Sequence, residues 1–172
     1  MERVESEKMI KIRNATLNDL KDITIIYNEA IVKTNATFDT EKKTIDEQKK
    51  WFESHGPKNP IIVAEQDGNI VGWASLSEWS NRCAYSDTAE ISLYVLEKHQ
   101  GKGIGKKLMK SIVEQGKKAG LHTLIARITD GNEISVHLHK MVGFESIGVM
   151  KECGWKFNKR LDVYLMQKVY ND

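Results

Sequence analysis

The chain is poor in cysteine and proline, has no excess of charge of one sign, and contains no long apolar run. Two of its 172 residues are cysteine and two are proline. Cys83 and Cys153 form no C-x-x-C pair, and no histidine–cysteine cluster has the spacing of a zinc site, so no metal is expected. No apolar run approaches the roughly 20 residues that a membrane helix needs. Residues 1–8 are polar and mixed in charge, without the apolar centre of a secretion signal. They read as a disordered leader, and the expected setting is the cytoplasm, with both thiols free. Lysine and arginine number 26 against 24 acidic residues, a net charge of +2. Interspersed charge of this kind argues against a dedicated nucleic-acid or membrane-surface protein, although it still suits a polyanionic ligand.

What is present is an ordinary globular composition, 40% hydrophobic and 29% charged, in a chain long enough for one well-buried core. Residues 9–172 read as one domain, without repeats or linkers. Met9–Arg13 alternates as a short strand. Thr16, with Asp19 in the capping-box position, starts a helix carrying Leu20, Ile23, Ile26, Tyr27 and Ala30 at helical spacing. Thr44 and Glu47 cap a second helix to Phe52. Strands follow at 61–65 and 70–76 around an Asp67-Gly68 turn, then at 89–95 after a polar loop with Trp79, Arg82 and Tyr85. A helix from Gly101 to Gly120, a strand at 123–128, a helix at 133–142 and strands at 145–150 and 160–168 complete the order. This is a mixed α/β (α+β) fold with a mostly antiparallel central sheet and helices packed on it.

One segment carries a chemical signal. After the strand ending at Leu93-Tyr94-Val95 come Gln100-Gly101-Lys102-Gly103-Ile104-Gly105-Lys106, a glycine-dense turn opening an amphipathic helix. The first N–H groups of a helix lack internal acceptors and lie at the positive end of its dipole, which makes an anion site. Lys102, Lys106 and Lys107 add charge, and a pyrophosphate is the natural guest. No frame fits the P-loop. A dinucleotide fingerprint fails because its third glycine falls on Lys106 or Leu108.

Residues 100–105 do satisfy the pattern [QR]-x-x-G-x-[GA], and the chain therefore resembles the GCN5-related N-acetyltransferase superfamily. Further stretches make it similar to the phosphinothricin and methionine sulfone (sulfoximine) acetyltransferase branch. These are Ile26-Tyr27-Asn28, Ala36-Thr37-Phe38, residues 89–95, Asn132-Glu133-Ile134-Ser135, Leu138 to Phe144 and Gly154 to Asp162. The resemblance implies the acetyltransferase fold with helices on both faces of the sheet, acetyl-CoA as co-substrate, a small amine as acceptor and a homodimer. It implies a coenzyme A site at Gln100, Gly101, Lys102, Gly103, Ile104, Gly105 and Lys106. Backbone groups at Leu93, Tyr94 and Val95 would face pantetheine and the acetyl carbonyl. Asn132 is either a helix cap or a pantetheine contact, or both.

Glu90 sits in mid-strand, where glutamate is disfavoured. It reads either as a solvated carboxylate or as the base that deprotonates the attacking amine, the role its match in the family holds. His139 reads as a packed helix histidine or, by resemblance, as a proton relay or a guide for the cofactor. Arg82, with Tyr85 nearby, suits a bidentate grip on a carboxylate or phosphinate, or else is a solvated loop residue. Phe38 and Trp79 are pocket walls or core aromatics. Lys156-Phe157 matches the family's pocket-closing segment. Trp155 and Lys159 depart from it, which leaves side-chain preference open. Rival readings are acetylation of a polyamine, an aminoglycoside or a protein N-terminus, and a non-catalytic acyl-CoA sensor.

Overall fold

β-Branched runs, a tight turn and well-placed caps produce the first half of the fold. The computed structural model describes residues 9–171, and the leader expected at 1–8 lies outside them. Strand β1 (Ile10–Asn14) leads through one 3₁₀ turn, Leu17–Asp19, into helix α1 (Leu20–Lys33). The capping box expected at Thr16 is formed, with the Thr16 N–H donating to Asp19 Oδ2 at 2.8 Å. The same carboxylate also takes two N–H bonds from Arg13, at 2.7 and 2.8 Å. Helix α2 (Ile45–Glu53) is capped by Thr44 and Glu47 as its sequence implies. Strands β2 (Ile61–Gln66) and β3 (Asn69–Glu78) meet at Asp67-Gly68, where both residues have positive φ, as a tight hairpin turn requires.

Strand β4 (Thr88–Val95), helix α3 (Ile104–Lys118) and strand β5 (Thr123–Thr129) form a crossover. Helix α4 (Glu133–Met141) and the hairpin of β6 (Glu145–Lys156) and β7 (Lys159–Val169) follow. The seven strands lie in the order β1-β2-β3-β4-β5-β7-β6. Every neighbouring pair is antiparallel except β4–β5, which the α3 crossover makes parallel.

Alternating side chains divide the sheet between two apolar clusters. Ile61, Val63, Ile70 and Trp73 pack with Ile23 and Ile26 of α1 and with Trp51 and Phe52 of α2. Ile62, Ala64, Leu76, Ala89 and Ile91 face Leu108, Met109 and Ile112 of α3, with Val136 and Leu138 of α4 alongside. Helices thus cover both faces, in agreement with the fold class read from the sequence.

Contact between α3 and the sheet is close at Gly116. A Cβ there would lie 2.6 Å from Tyr170 Oη and 2.7 Å from Leu76 Cδ1. Tyr170 cannot readily retreat, because its hydroxyl donates to the Val113 carbonyl in the core. Gly116→Ala is therefore expected to overpack this contact and cost about 1–3 kcal/mol. The check is thermal unfolding, in which the midpoint falls by several degrees.

Candidate active site

β4 and β5 are paired only from Thr88 opposite Thr123 to Glu90 opposite Ile125. Beyond Glu90 they separate, while β4 stays paired to β3 as far as Val95 opposite Gly72. The main-chain groups of residues 91–95 that point away from β3 thereby lose their ladder partners. A cavity of about 1050 Å³ opens along this splayed edge and runs from the glycine turn past Glu90 to Phe38.

At one end lies the turn. Gly101 and Gly103 have φ of +74° and +78°, and Gly103 is the N-cap of α3. Helical bonding begins with Lys107 N–H donating to the Gly103 carbonyl at 3.1 Å. The N–H groups of Ile104, Gly105 and Lys106 consequently have no acceptor within the helix. Among the described residues, nothing beyond the adjoining chain neighbours lies within 4 Å of a Cβ built at Gly101 or Gly103. The cradle is thus open, positively polarised and of a kind that fits a pyrophosphate. Gln100, Gly101, Gly103, Ile104, Gly105 and Lys106 line the cavity. Lys102 does not, and its ammonium donates to the Lys98 carbonyl instead. The Ile104 side chain is core, so only its backbone belongs to the site.

Leu93, Tyr94 and Val95 border the middle of the cavity, as do Asn132 and His139. Asn132 caps α4, its Oδ1 accepting the Ser135 N–H at 3.2 Å. His139 is 6% exposed and packs edge-on against Phe144. Its Nδ1 lies 2.7 Å from the Ser135 carbonyl oxygen. A carbonyl only accepts, so Nδ1 carries the proton and Nε2 keeps its lone pair.

Burial holds His139 below its usual 6.5, and the same cause acts on His55. Each therefore takes up its proton at a lower pH in the folded chain than in the unfolded chain, where protonation sets in as the pH falls past 6.5. The unfolded state then binds more protons, so stability present above that pH is lost below it. The thermal midpoint is expected to drop between about pH 7 and 5.5, above the range where carboxylates titrate. His139→Asn should make that drop shallower.

At the far end, Glu90 lines the cavity with its side chain 21% exposed. It does not stand alone. Arg127 of β5 grips it with two bonds, Nε to Oε1 at 2.7 Å and Nη2 to Oε2 at 2.6 Å. The Arg127 guanidinium also lies over the Trp79 ring, 5.7 Å from its centroid. The floor beside Glu90 is built by Tyr27 and Tyr94, with ring centroids 5.1 Å apart. Tyr27 Oη donates to Asp39 at 2.5 Å and lies 3.0 Å from Thr37 Oγ1. Lys156 is 4% exposed and straps the β6–β7 hairpin to this floor, donating to the Thr37 carbonyl at 2.8 Å.

Of the candidate substrate residues, Phe38 lines the cavity, packed over Gly154 of β6. Trp79 sits behind Arg127 and does not line it. Arg82 and Tyr85 are exposed in the loop before β4 and do not border the cavity. The residue that sequence reasoning passed over is Arg127. Its one signal was a lone charge in the otherwise apolar run Leu124-Ile125-Ala126-Arg127-Ile128.

Residues 12–165 match the family described as "Acetyltransferase (GNAT) domain". The L-methionine sulfoximine/L-methionine sulfone acetyltransferase of Pseudomonas paraeruginosa is 35% identical over 158 residues, covering 91% of this chain and 92% of that protein. Among solved structures, a ribosomal-protein-alanine N-acetyltransferase from Brucella melitensis superposes with a TM-score of 0.90 at 35% identity. It covers 93% of this chain and 99% of that one. A GNAT superfamily phosphinothricin acetyltransferase from Sinorhizobium meliloti, in complex with AcCoA, superposes with a TM-score of 0.89 at 34% identity. It covers 93% of this chain and 88% of that one.

Proposed function

The chain belongs to the GNAT acetyltransferase family and is an acetyl-CoA-dependent N-acyltransferase; we propose that its acceptor is the amino group of a small amino acid or analogue, of the methionine sulfone, sulfoximine or phosphinothricin type, with Glu90 as the general base. The observation that carries this reading is the continuous cavity joining an anion-binding helix terminus to the Glu90 carboxylate at the point where the sheet splays.

The donor's pyrophosphate lies against the N–H groups opening α3. Its pantetheine arm runs along β4 in the place of a missing strand, with Asn132 alongside. A main-chain N–H near Leu93–Val95 faces the thioester oxygen, where negative charge develops during attack. The amine reaches the other end as an ammonium ion, and Glu90 takes its proton directly or through one water. The nitrogen lone pair forms the C–N bond, the C–S bond breaks, and coenzyme A leaves as thiolate. No step calls on an acyl-enzyme. Phe38 walls the acceptor end, and a small-molecule acceptor and a cytoplasmic homodimer are part of the proposal.

The test is acetyl-CoA turnover, followed by free-thiol release, over methionine sulfone, methionine sulfoximine, phosphinothricin, common amino acids, a polyamine and a short peptide. Turnover of the amino-acid group supports the reading. Turnover of the peptide or polyamine alone overturns the acceptor and leaves acetyl transfer standing. Tight acetyl-CoA binding with no turnover of any amine favours a sensor.

A further inference from the structure

We propose that Arg127 recognises the acceptor's carboxylate, and that the Glu90–Arg127 pair is a charge template for a zwitterionic amino acid. This rests on the reading that the acceptor is an amino acid, and it adds which residue selects for one.

The cationic lysines and arginines bordering the cavity, among the described residues, are Lys33, Lys106 and Arg127. Lys33 is drawn to Glu97 at 2.6 Å and to Glu29 at 3.8 Å. Lys106 lies in the first turn of α3, at the pyrophosphate end. Lys156, close by, is sequestered on the Thr37 carbonyl. Arg127 alone touches Glu90.

Its guanidinium has five N–H donors in a planar fork, and Glu90 occupies one on Nε and one on Nη2. Both N–H groups of Nη1 and the second on Nη2 remain, on a side chain that is 52% exposed. The guanidinium also makes a cation–π contact with the Trp79 ring. The carboxylate oxygens of Glu90 likewise keep lone pairs for a second donor.

An α-amino acid carries its ammonium and carboxylate on one carbon, at a spacing like that of a hydrogen-bonded glutamate and arginine. Laid head to tail against the pair, its ammonium meets Glu90 and its carboxylate meets the open edge of Arg127. The four charges alternate and sum to zero, so the acceptor binds with each of its charges matched. This pose also places the reacting nitrogen on the carboxylate that takes its proton. An amine lacking the acid group gains nothing from the Nη1 edge.

The test compares an amino acid that the wild-type enzyme acetylates with its carboxamide, which keeps the amine and loses the charge. Wild type is expected to prefer the acid by about 10- to 100-fold in kcat/KM, the range of a charge-assisted hydrogen bond or two. Arg127→Gln should raise KM for the acid by a similar factor and abolish the preference, and Arg127→Lys should restore part of it. Acetyl-CoA binding by calorimetry reports whether each variant is folded. If Arg127→Gln does not fold, a preference undiminished in Arg127→Lys overturns the proposal. A preference kept in Arg127→Gln, or lost in Arg82→Gln instead, overturns it while the amino-acid reading survives. Failure of the wild-type enzyme to acetylate any amino acid overturns both.

Discussion

Glu90→Gln is expected to lower kcat by about 10²- to 10⁴-fold near neutral pH, with acetyl-CoA affinity unchanged. The affinity should hold because the contacts proposed for the donor lie at the α3 terminus and along residues 91–95, away from the Glu90 side chain. The rate should fall because an ammonium ion has no lone pair, and the amide that replaces the carboxylate accepts no proton. Glutamine also turns an N–H₂ toward one prong of the Arg127 fork, so one of the two bonds at 2.7 and 2.6 Å is lost. Glu90→Asp keeps the charge and withdraws it by one methylene, and its kcat should fall between the two. The pH dependence identifies the cause. Below the pKa of the acceptor amine, the neutral fraction grows about tenfold per pH unit, so alkaline buffer should rescue Glu90→Gln much more than wild type. A variant with wild-type kcat at neutral pH would show that the proton leaves by another route.

Why Glu90 was legible in the sequence, and Arg127 was not, is a matter of range. A glutamate in an apolar strand is a local anomaly, visible without knowing what the strand pairs with. So are the Thr16 and Thr44 caps, the Asp67-Gly68 turn and the glycine-dense opening of α3, and each of these appears in the structure. Arg127 gains its meaning from the parallel register that sets Ile125 beside Glu90. Two residues further along β5, on the same face, its side chain folds back onto that carboxylate. Thirty-seven residues separate the two, and a composition-level reading of β5 as a buried strand hides the one position that is exposed.

The same limit explains the late hairpin. Its first strand was expected to end at Met150 and runs on to Lys156. The pairing with β7 shifts register between Met150 and Gly154, and Glu152 there adopts φ of 51°. A bulge of this kind breaks the period-two alternation by which a strand is recognised. The break matters to the site, because the continuation carries Gly154 under Phe38 and Lys156 to Thr37. By contrast, Arg82 is a candidate through its chemistry and its place just before β4, and it does not line the cavity.

At the other end of the cavity, Gly103→Ala should raise the Kd for acetyl-CoA by tenfold or more, with a much smaller change in kcat at saturating donor. Gly103 holds φ of +78° and ψ of 3°, a left-handed conformation. An alanine there costs about 1–2 kcal/mol if the backbone keeps its shape. If the backbone relaxes instead, the N–H groups of residues 104–106 turn away from their common focus, and the anion site loses its convergence. Either way the methyl group projects where, among the described residues, no atom beyond the adjoining chain neighbours lies within 4 Å. Overpacking is therefore not the cause of the loss, and this separates Gly103 from Gly116, where the same substitution meets Leu76 and Tyr170. The two variants should divide cleanly: Gly116→Ala lowers the thermal midpoint with donor affinity kept, and Gly103→Ala loses donor affinity with at most a modest loss of midpoint. Raised ionic strength should weaken donor binding in the wild type, because part of the attraction is between phosphate charge and a solvent-facing helix end with Lys106 beside it. Unchanged donor affinity in Gly103→Ala, measured by calorimetry, would mean that the pyrophosphate does not sit at this turn.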